Sequence, residues 1–176
     1  MKKPLSSNFC LSCTAKKRGC CVGYYISLTM KDIKNIEKLG YQLEKVITAQ
    51  DFTKAELDGC HGWQDNAILI NKKYYTITLR KKNDVCIFLS HKQGCLLGKN
   101  RPLEFKTYPF WLNKKNQIIY QDRYCYMLKH KIPVKQGLTI MGESEKEVRS
   151  YFKEIRNDYL KNQKKQKAII LNLLKK

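Results

Sequence analysis

Apolar residues recur at helical spacing near the start of the chain. Residues 28–40, LTMKDIKNIEKLG, place Ile33, Ile36 and Leu39 on one face of a predicted helix. Thr29 can cap its first turn, with an acidic residue three positions later, close to the capping-box pattern. The closing glycine is typical of a helix C-terminus, so both ends are marked.

A second helical pattern begins near residue 144. Ser144 and Glu147 form a capping box. The apolar residues that follow at helical spacing are Val148, Phe152, Ile155 and Tyr159. Beyond residue 160 the sequence KNQKKQKAIILNLLKK is first basic and then apolar, which predicts a helix that docks on the core or frays. A helix for a partner or a membrane surface is the alternative interpretation.

The middle of the chain changes period. Four β-branched or aromatic runs, separated by Lys, Asn, Asp and Gly clusters, predict short antiparallel strands. These runs are 67–70, 74–80, 85–89 and 117–120. A further helix is predicted over Tyr41 to Leu57. We therefore expect an α+β fold, a small antiparallel sheet with flanking helices, in one domain over 1–142 followed by a basic amphipathic helix over 143–176.

Composition narrows the functional classes. With 176 residues and 43% hydrophobic content the chain can bury a core of its own. Its net charge of +20 is typical of proteins that bind nucleic acid or an anionic surface, but 29 of the 35 basic residues are Lys. Bidentate reading of bases and phosphates favours Arg, so nucleic-acid binding is possible but not favoured. No secretory leader or membrane span is visible, and we expect a cytoplasmic protein.

Eight cysteines in a reducing compartment indicate a metal more than disulfides. Cys10 and Cys13 form a Cys-x-x-Cys pair, whose spacing lets a tight turn aim both thiolates at one metal. Cys20 and Cys21 follow; adjacent side chains point apart, so one is expected to join the first pair and the other to face a second site or the core. A thioredoxin-like interpretation is disfavoured because no strand precedes Cys10.

Three more cysteines lie in the second half of the chain. Cys86 falls in a predicted strand, where a small buried hydrophobe is the ordinary interpretation. Cys95 follows Gly94, which permits a tight turn, and Cys125 lies beyond the last predicted strand. None of these spacings supplies the second Cys-x-x-Cys of a zinc ribbon, which further weakens a nucleic-acid interpretation of that type.

The order of these motifs resembles the YkgJ-like cysteine-cluster family, whose members are described as zinc- or iron-chelating domains and which includes the flagellin lysine N-methylases. The matching features are the N-terminal Cys-x-x-Cys and Cys-Cys, the helix that follows, a Cys-x-Phe-Leu segment, Gly-Cys, Arg-Pro and Tyr-Pro-Phe. The resemblance covers about residues 8–130.

The resemblance implies a metal site built by cysteines of both halves, with a four-iron iron–sulfur cluster expected and zinc as the alternative. The ligand candidates that it implies are Cys10, Cys13, Cys20, Cys21, Cys86, Cys95 and Cys125. Arg101, Pro102, Tyr108 and Pro109 match the supporting motif, and Arg101 and Tyr108 are the residues expected beside the cofactor. Arg101 is hypothesised to donate hydrogen bonds to sulfurs or loop carbonyls.

The sequence departs from the family pattern in three places. Phe105 stands where members commonly have a cysteine, which bears on any second metal site. Six residues separate Cys13 from Cys20, where many members have two or three. Cys60 falls outside the motif, and beside His61 it is either a replacement ligand or, the favoured interpretation, a buried thiol.

The function expected from these observations is metal binding, with an electron-transfer or partner-modifying role and another protein as partner. A lysine N-methylase-like enzyme is the alternative, although no glycine-rich loop after a strand marks a cofactor pocket. A zinc-stabilised nucleic-acid-binding protein is the second alternative. Hydrolytic chemistry has little support, because the three histidines form no paired motif; they are His61, His91 and His130.

Overall fold

The structure, a computed structural model, describes residues 21–54, 56, 66–90, 92–113, 115–120 and 125–175. Helices and short antiparallel strands make up this part of the chain, which confirms the predicted α+β class. Some residues singled out in the sequence lie outside the described residues, and these are Cys10, Cys13, Cys20, Cys60, His61 and His91.

The first helix, α1 (Met30–Lys38), begins where the sequence predicts. Thr29 Oγ1 accepts a hydrogen bond from the Asp32 N–H at 3.0 Å, and the Asp32 carboxylate accepts one from the Thr29 N–H at 3.0 Å. Both partners are buried, so this reciprocal cap satisfies two N-terminal donors that water cannot reach. The predicted capping box is confirmed.

The predicted apolar face of α1 is correct at two of its three positions. Ile33 and Ile36 are buried in the main core. Leu39 is 45% exposed, so its prediction is wrong. It lies past the last helical residue, where the chain turns through Gly40 at a φ of +85° and no longer follows the helical period.

The largest sheet has three antiparallel strands in the order β1–β3–β2. They are β1 (Ile47–Phe52), β2 (Ile68–Ile70) and β3 (Lys73–Leu79). The central strand β3 carries a continuous buried run from Thr76 to Leu79, because both of its neighbours and the helices cover it.

The helix predicted over Tyr41 to Leu57 is largely wrong. The segment begins with the short helix α2 (Leu43–Val46), and β1 follows at once. Near its end, Lys54 and Glu56 are again helical. Ile47 pairs with Leu79 and Phe52 with Tyr74, so the segment is a sheet edge joined to a strand far along the chain. Long-range pairing of this kind overrides local helix propensity.

The other strands in the described part of the chain form three two-stranded antiparallel pairings. Their strands are β4 (Lys81–Lys82) with β5 (Val85–Cys86), β6 (Leu89–Ser90) with β7 (Gly94–Cys95), and β8 (Phe110–Leu112) with β9 (Ile118–Tyr120). The run 85–89, predicted as one strand, is divided between β5 and β6. Asn83 and Asp84 have positive φ between β4 and β5, a conformation that these residue types tolerate in tight hairpins.

The remaining helices follow the strand pairs or alternate with them. They are α3 (Leu103–Thr107), α4 (Tyr126–Lys129), α5 (Val134–Met141) and α6 (Glu145–Leu174). The capping box of α6 is confirmed: Ser144 Oγ accepts from the Glu147 N–H at 3.2 Å. No helix within the described residues is both long enough and apolar enough to span a membrane.

Helix α6 docks along the body of the protein. Val148, Ile155 and Tyr159 are buried as predicted, whereas Phe152 is half-buried. Near the end of the helix Ile170 is 1% exposed and belongs to the main core with Ile33 and Ile36. The docking interpretation of the C-terminal segment is therefore confirmed.

Helix α3, inside the Arg-Pro to Tyr-Pro segment, is held by two buried carboxylates. Asp32 Oδ1 accepts a hydrogen bond from the Leu103 N–H at 3.2 Å. Glu104 Oε2 accepts one from the Ser27 N–H at 2.8 Å, and its Oε1 accepts one from Asn66 Nδ2 at 3.2 Å. These bonds connect α3 to α1 and to the extended segment that precedes α1. They therefore fix the position of Arg101, which flanks α3.

Candidate metal centre

Cys21 and Cys86 lie side by side although the sequence separates them widely. The Cys86 N–H donates a hydrogen bond to the Cys21 carbonyl at 2.9 Å. Val22 forms an antiparallel bridge with Val85, and the Gly23 N–H donates to the Asp84 carbonyl at 3.0 Å. The end of the N-terminal cysteine segment is thereby attached to β5 through an isolated β-bridge.

Cys95 reaches the same region through the β6–β7 hairpin. Leu89 pairs with Cys95 and Ser90 with Gly94, whose φ of +79° suits glycine at the tight turn. Cys21, Cys86 and Cys95 all pack in or against the main core cluster. The structure thus places one N-terminal cysteine and two from the second half of the chain in or against the same core cluster. That these cysteines bind a metal stays a prediction from the family resemblance.

Backbone N–H groups act on the sulfurs of Cys86 and Cys95. Hydrogen bonding from the Phe88 N–H lowers the pKa of Cys86, and hydrogen bonding from the N–H groups of Leu97 and Gly98 lowers the pKa of Cys95. Leu97 is right-handed (φ −74°, ψ −13°) and Gly98 left-handed (φ +54°). Successive residues of opposite hand form a nest, a concave set of N–H groups that binds anions and recurs at iron–sulfur sites.

Burial dominates the protonation of these thiols. It raises the pKa of Cys86 to about 12 and also raises the pKa of Cys95. The charge of Cys21 raises both pKa values further. A bound cation would remove this penalty, because metal coordination stabilises the thiolate form.

The described thiols do not complete a ligand set by themselves. No group of three or more His, Cys, Asp or Glu side chains among residues 21–175, masked gaps excepted, has the geometry to hold a metal ion. The other candidates of the N-terminal motif, Cys10, Cys13 and Cys20, precede Cys21 directly in the chain. These cysteines lie outside the described residues, and their role as ligands stays a prediction from the resemblance.

Lys81 is a cation buried beside these thiols. It pairs with Cys86 across β4 and β5, and its Nζ lies 4.0 Å from the centroid of the Tyr25 ring. This Nζ is buried without a hydrogen-bond partner in the described part of the chain. Burial lowers the pKa of Lys81, whereas the negative charges of Asp84, Cys86 and Cys21, in that order, raise it. Sequence analysis missed Lys81, since one lysine among 29 carries no distinguishing signal.

Arg101 lies between Cys95 and helix α6. Its Nη2 forms an ion pair of 3.2 Å with Glu143 Oε1, and the two side chains are 20% and 10% exposed. Its charge lowers the pKa of Cys95. The ion pair with Glu143 is the contact that the structure adds to the predicted role, and hydrogen bonding to sulfur stays a prediction.

Tyr108 and Phe105 lie on the segment that returns from Arg101. The Tyr108 ring packs against Tyr24 with centroids 6.2 Å apart, and its peptide bond to Pro109 is cis. Phe105, at the position where members of the family commonly have cysteine, is buried in the same core cluster as Cys86. An aromatic ring therefore fills that position as part of the core.

Cys125 lies apart from the other described cysteines. It is buried in a second core cluster with Phe110, Met127 and Val148. Burial raises the pKa of Tyr120 to about 12, and the charge of Cys125 also raises it. Among the described cysteines, Cys125 lies in a different core cluster from Cys21, Cys86 and Cys95, and its role as a ligand stays a prediction from the resemblance.

The fold and the cysteines define a small α+β protein with a cysteine-based candidate metal centre. Residues 9–126 match the model of the CxxCxxCC family, described as a "putative zinc- or iron-chelating domain". The match spans more than half of the chain, so the protein belongs to this family. No curated protein and no solved structure matches the chain. Family membership supports the binding of zinc or iron.

Proposed function

We propose that this protein holds an iron–sulfur cluster through cysteines of its N-terminal motif together with Cys86 and Cys95. The observation that carries the proposal is the convergence of Cys21, Cys86 and Cys95 on one region where backbone N–H groups already point at sulfur. Hydrogen bonds of this kind stabilise thiolates and set the reduction potential of clusters.

The residues present fit such a group. Cys86 and Cys95 offer soft sulfur donors, which select iron–sulfur clusters or zinc over harder cations. The buried Nζ of Lys81, without an acceptor among the described residues, supplies positive charge for a site that is net anionic with four thiolates. When bound, a cluster would supply one-electron transfer, and this chain would hold it, limit its contact with water and balance its charge.

The proposed role is electron transfer to another protein or the modification of one. Cys95 is only half-buried, so a group at this site is near enough to the surface to exchange electrons with a docked partner. Zinc would give the same cysteines a structural role instead, because zinc has no redox chemistry.

Metal and acid-labile sulfide analysis with a visible spectrum, on protein purified without oxygen, tests the proposal. We expect brown protein with about four irons and matching sulfide per chain. Colourless protein with one zinc would overturn the cluster and keep the metal site. Protein without stoichiometric metal, folded by circular dichroism, would overturn both.

A further inference from the structure

A groove of about 1370 Å³ lies on another part of the protein, between the β8–β9 hairpin and the first half of α6. Its lining includes Trp111 on the hairpin, Phe152 and Lys153 on the helix, and Glu104 on α3. Of the candidate metal ligands that the structure describes, none lines it. This volume exceeds the roughly 300–1,000 Å³ of typical small-molecule pockets, which favours a larger or extended ligand.

The lining is strongly basic. Four cationic side chains contribute to it, and these are Lys115, Arg149, Lys153 and Arg156. Glu104 is the one carboxyl among the described lining residues; it is buried and accepts hydrogen bonds from Ser27 and Asn66. Burial raises the pKa of Glu104 to about 8, so it adds little negative charge at neutral pH. The groove is therefore complementary to an anion.

Arg149 connects the two walls of the groove. Its Nη1 donates to the Asn116 carbonyl at 2.7 Å, and its Nε and Nη2 donate to Glu145 Oε1 at 3.0 and 2.7 Å. The hairpin turn is thereby attached to the first turn of α6. The two walls are held in place before a ligand arrives, which lowers the entropic cost of binding.

An aromatic surface lies among the cations. Trp111 and Phe152 are in edge-to-face contact, with ring centroids 5.2 Å apart and an interplanar angle of 78°. Trp111 is half-buried and lines the groove. Aromatic rings beside a basic groove are the combination on which single-stranded nucleic acids bind, because bases stack on the rings while cations follow the phosphates.

The basic surface continues beyond the groove along one face of α6. The exposed residues at helical spacing on this face are Lys153, Arg156, Leu160, Lys164 and Lys167. From first to last they span about 21 Å at the helical rise per residue. Four of these five residues are cations. A row of cations of this length suits a polyanion better than a single nucleotide or inorganic phosphate.

We propose that single-stranded nucleic acid binds along this surface, with bases against Trp111 and phosphates along the basic face of α6. A duplex fits less well, because its bases are stacked on each other and unavailable to the aromatic rings. The abundance of Lys does not oppose this mode, since binding without base-specific recognition needs no bidentate Arg.

The test is fluorescence anisotropy with labelled single strands of about 20 nucleotides, oligouridylate and oligothymidylate, and a duplex of equal length. The full chain is used as purified. The groove variant is Lys153→Glu with Arg156→Glu. Its matched control is Lys161→Glu with Lys165→Glu, two exposed lysines of α6 outside the groove that change the net charge equally.

We expect the single strands to bind more tightly than the duplex. The groove variant should weaken binding at least tenfold and lower the salt-dependence slope by about two, one for each lost phosphate contact. The control should weaken binding less than about threefold. Trp111→Leu should weaken single-strand binding about tenfold, the change expected when a stacked base is lost. The affinities for oligouridylate and oligothymidylate then show whether RNA or DNA is bound more tightly.

Equal losses in the groove variant and the control would overturn the proposal, because the net charge alone would then explain binding. Equal affinity for duplex and single strand would also overturn it, as would tighter binding of an acidic peptide at the same salt. Circular dichroism and metal content are measured on every variant, so failure of the metal proposal is recorded separately.

Discussion

The backbone N–H of Cys86 donates a hydrogen bond of 2.9 Å to the carbonyl of Cys21. Residues that are paired in this way on adjacent strands have Cα atoms about 5.5 Å apart. A cysteine of the N-terminal motif and one of the second half therefore share one place in the fold.

Serine substitutions should divide the cysteines into ligands and non-ligands. We expect Cys86→Ser and Cys95→Ser each to lose stoichiometric metal, because serine is a poor donor for soft metals. Cys125→Ser and Cys60→Ser should retain it, the first because Cys125 lies in the second core cluster. Metal content of the purified proteins is the measurement, with circular dichroism to show that each variant folds.

The Cys125 variant is the most informative of this series. Loss of metal from folded Cys125→Ser would return Cys125 to the ligand set that the family resemblance implies. Loss of metal from Cys60→Ser would make Cys60 the replacement ligand that the sequence offered beside His61. Equal metal content in all four variants would contradict the assignment of Cys86 and Cys95.

Lys81 should affect metal affinity through its charge. Removing the charge by Lys81→Met should weaken metal binding by about 10–100-fold, as is usual for groups that support ligands. Lys81→Arg keeps the charge and should weaken it less. Chelator competition measures the affinities, and Lys82→Met, an exposed neighbour on the same short strand, is the matched control. Equal affinities for Lys81→Met and Lys82→Met would show that Lys81 only packs against Tyr25.

The nest at Cys95 can be tested by forcing its backbone out of the left-handed region. Gly98→Val should cost about 1–2 kcal/mol of stability, because a β-branched residue is strained at a φ of +54°. It should also weaken metal binding, since the Gly98 N–H would leave the sulfur. Gly142, at a φ of +71° at the end of α5, gives the control.

Gly142→Val should show a similar loss in urea unfolding with metal affinity unchanged. The two glycines do not differ in the room around them, because an added Cβ would meet nothing within 4 Å at either position. Unchanged metal affinity in Gly98→Val would therefore argue that the N–H groups at Cys95 do not support a metal.

How much of this structure the sequence predicts depends on how local each feature is. The capping boxes at Thr29 and Ser144 involve residues three positions apart, and both are confirmed. The helix expected over Tyr41 to Leu57 is wrong because Ile47 pairs with Leu79, a partner that no local pattern reveals. The same limit explains the site. The order of the motifs predicts that both halves of the chain supply cysteines. The position of Lys81 beside Cys86, in contrast, depends on the pairing of β4 with β5.

Glu104 should make the stability of the protein depend on pH. Burial raises its pKa from 4.5 to about 8, so the folded protein binds a proton that the unfolded chain has released over this range. The free energy of unfolding should therefore fall as the pH rises from about 4.5 to 8, by at most about 1.4 kcal/mol per pH unit from this group. Below pH 4.5 both states hold the proton and the slope vanishes.

Glu104→Gln isolates this contribution because it keeps the shape and removes the ionisation. Asp32, whose pKa burial raises to about 6, titrates in both proteins, and its charge also raises the pKa of Glu104. The difference between their profiles therefore reports Glu104 together with its coupling to Asp32. Urea unfolding of the metal-free proteins between about pH 5 and 8 is the measurement. We expect Glu104→Gln to gain stability relative to the parent as pH rises. A difference that stays constant with pH would mean that Glu104 is ionised in the fold, held as a carboxylate by the Ser27 N–H and Asn66.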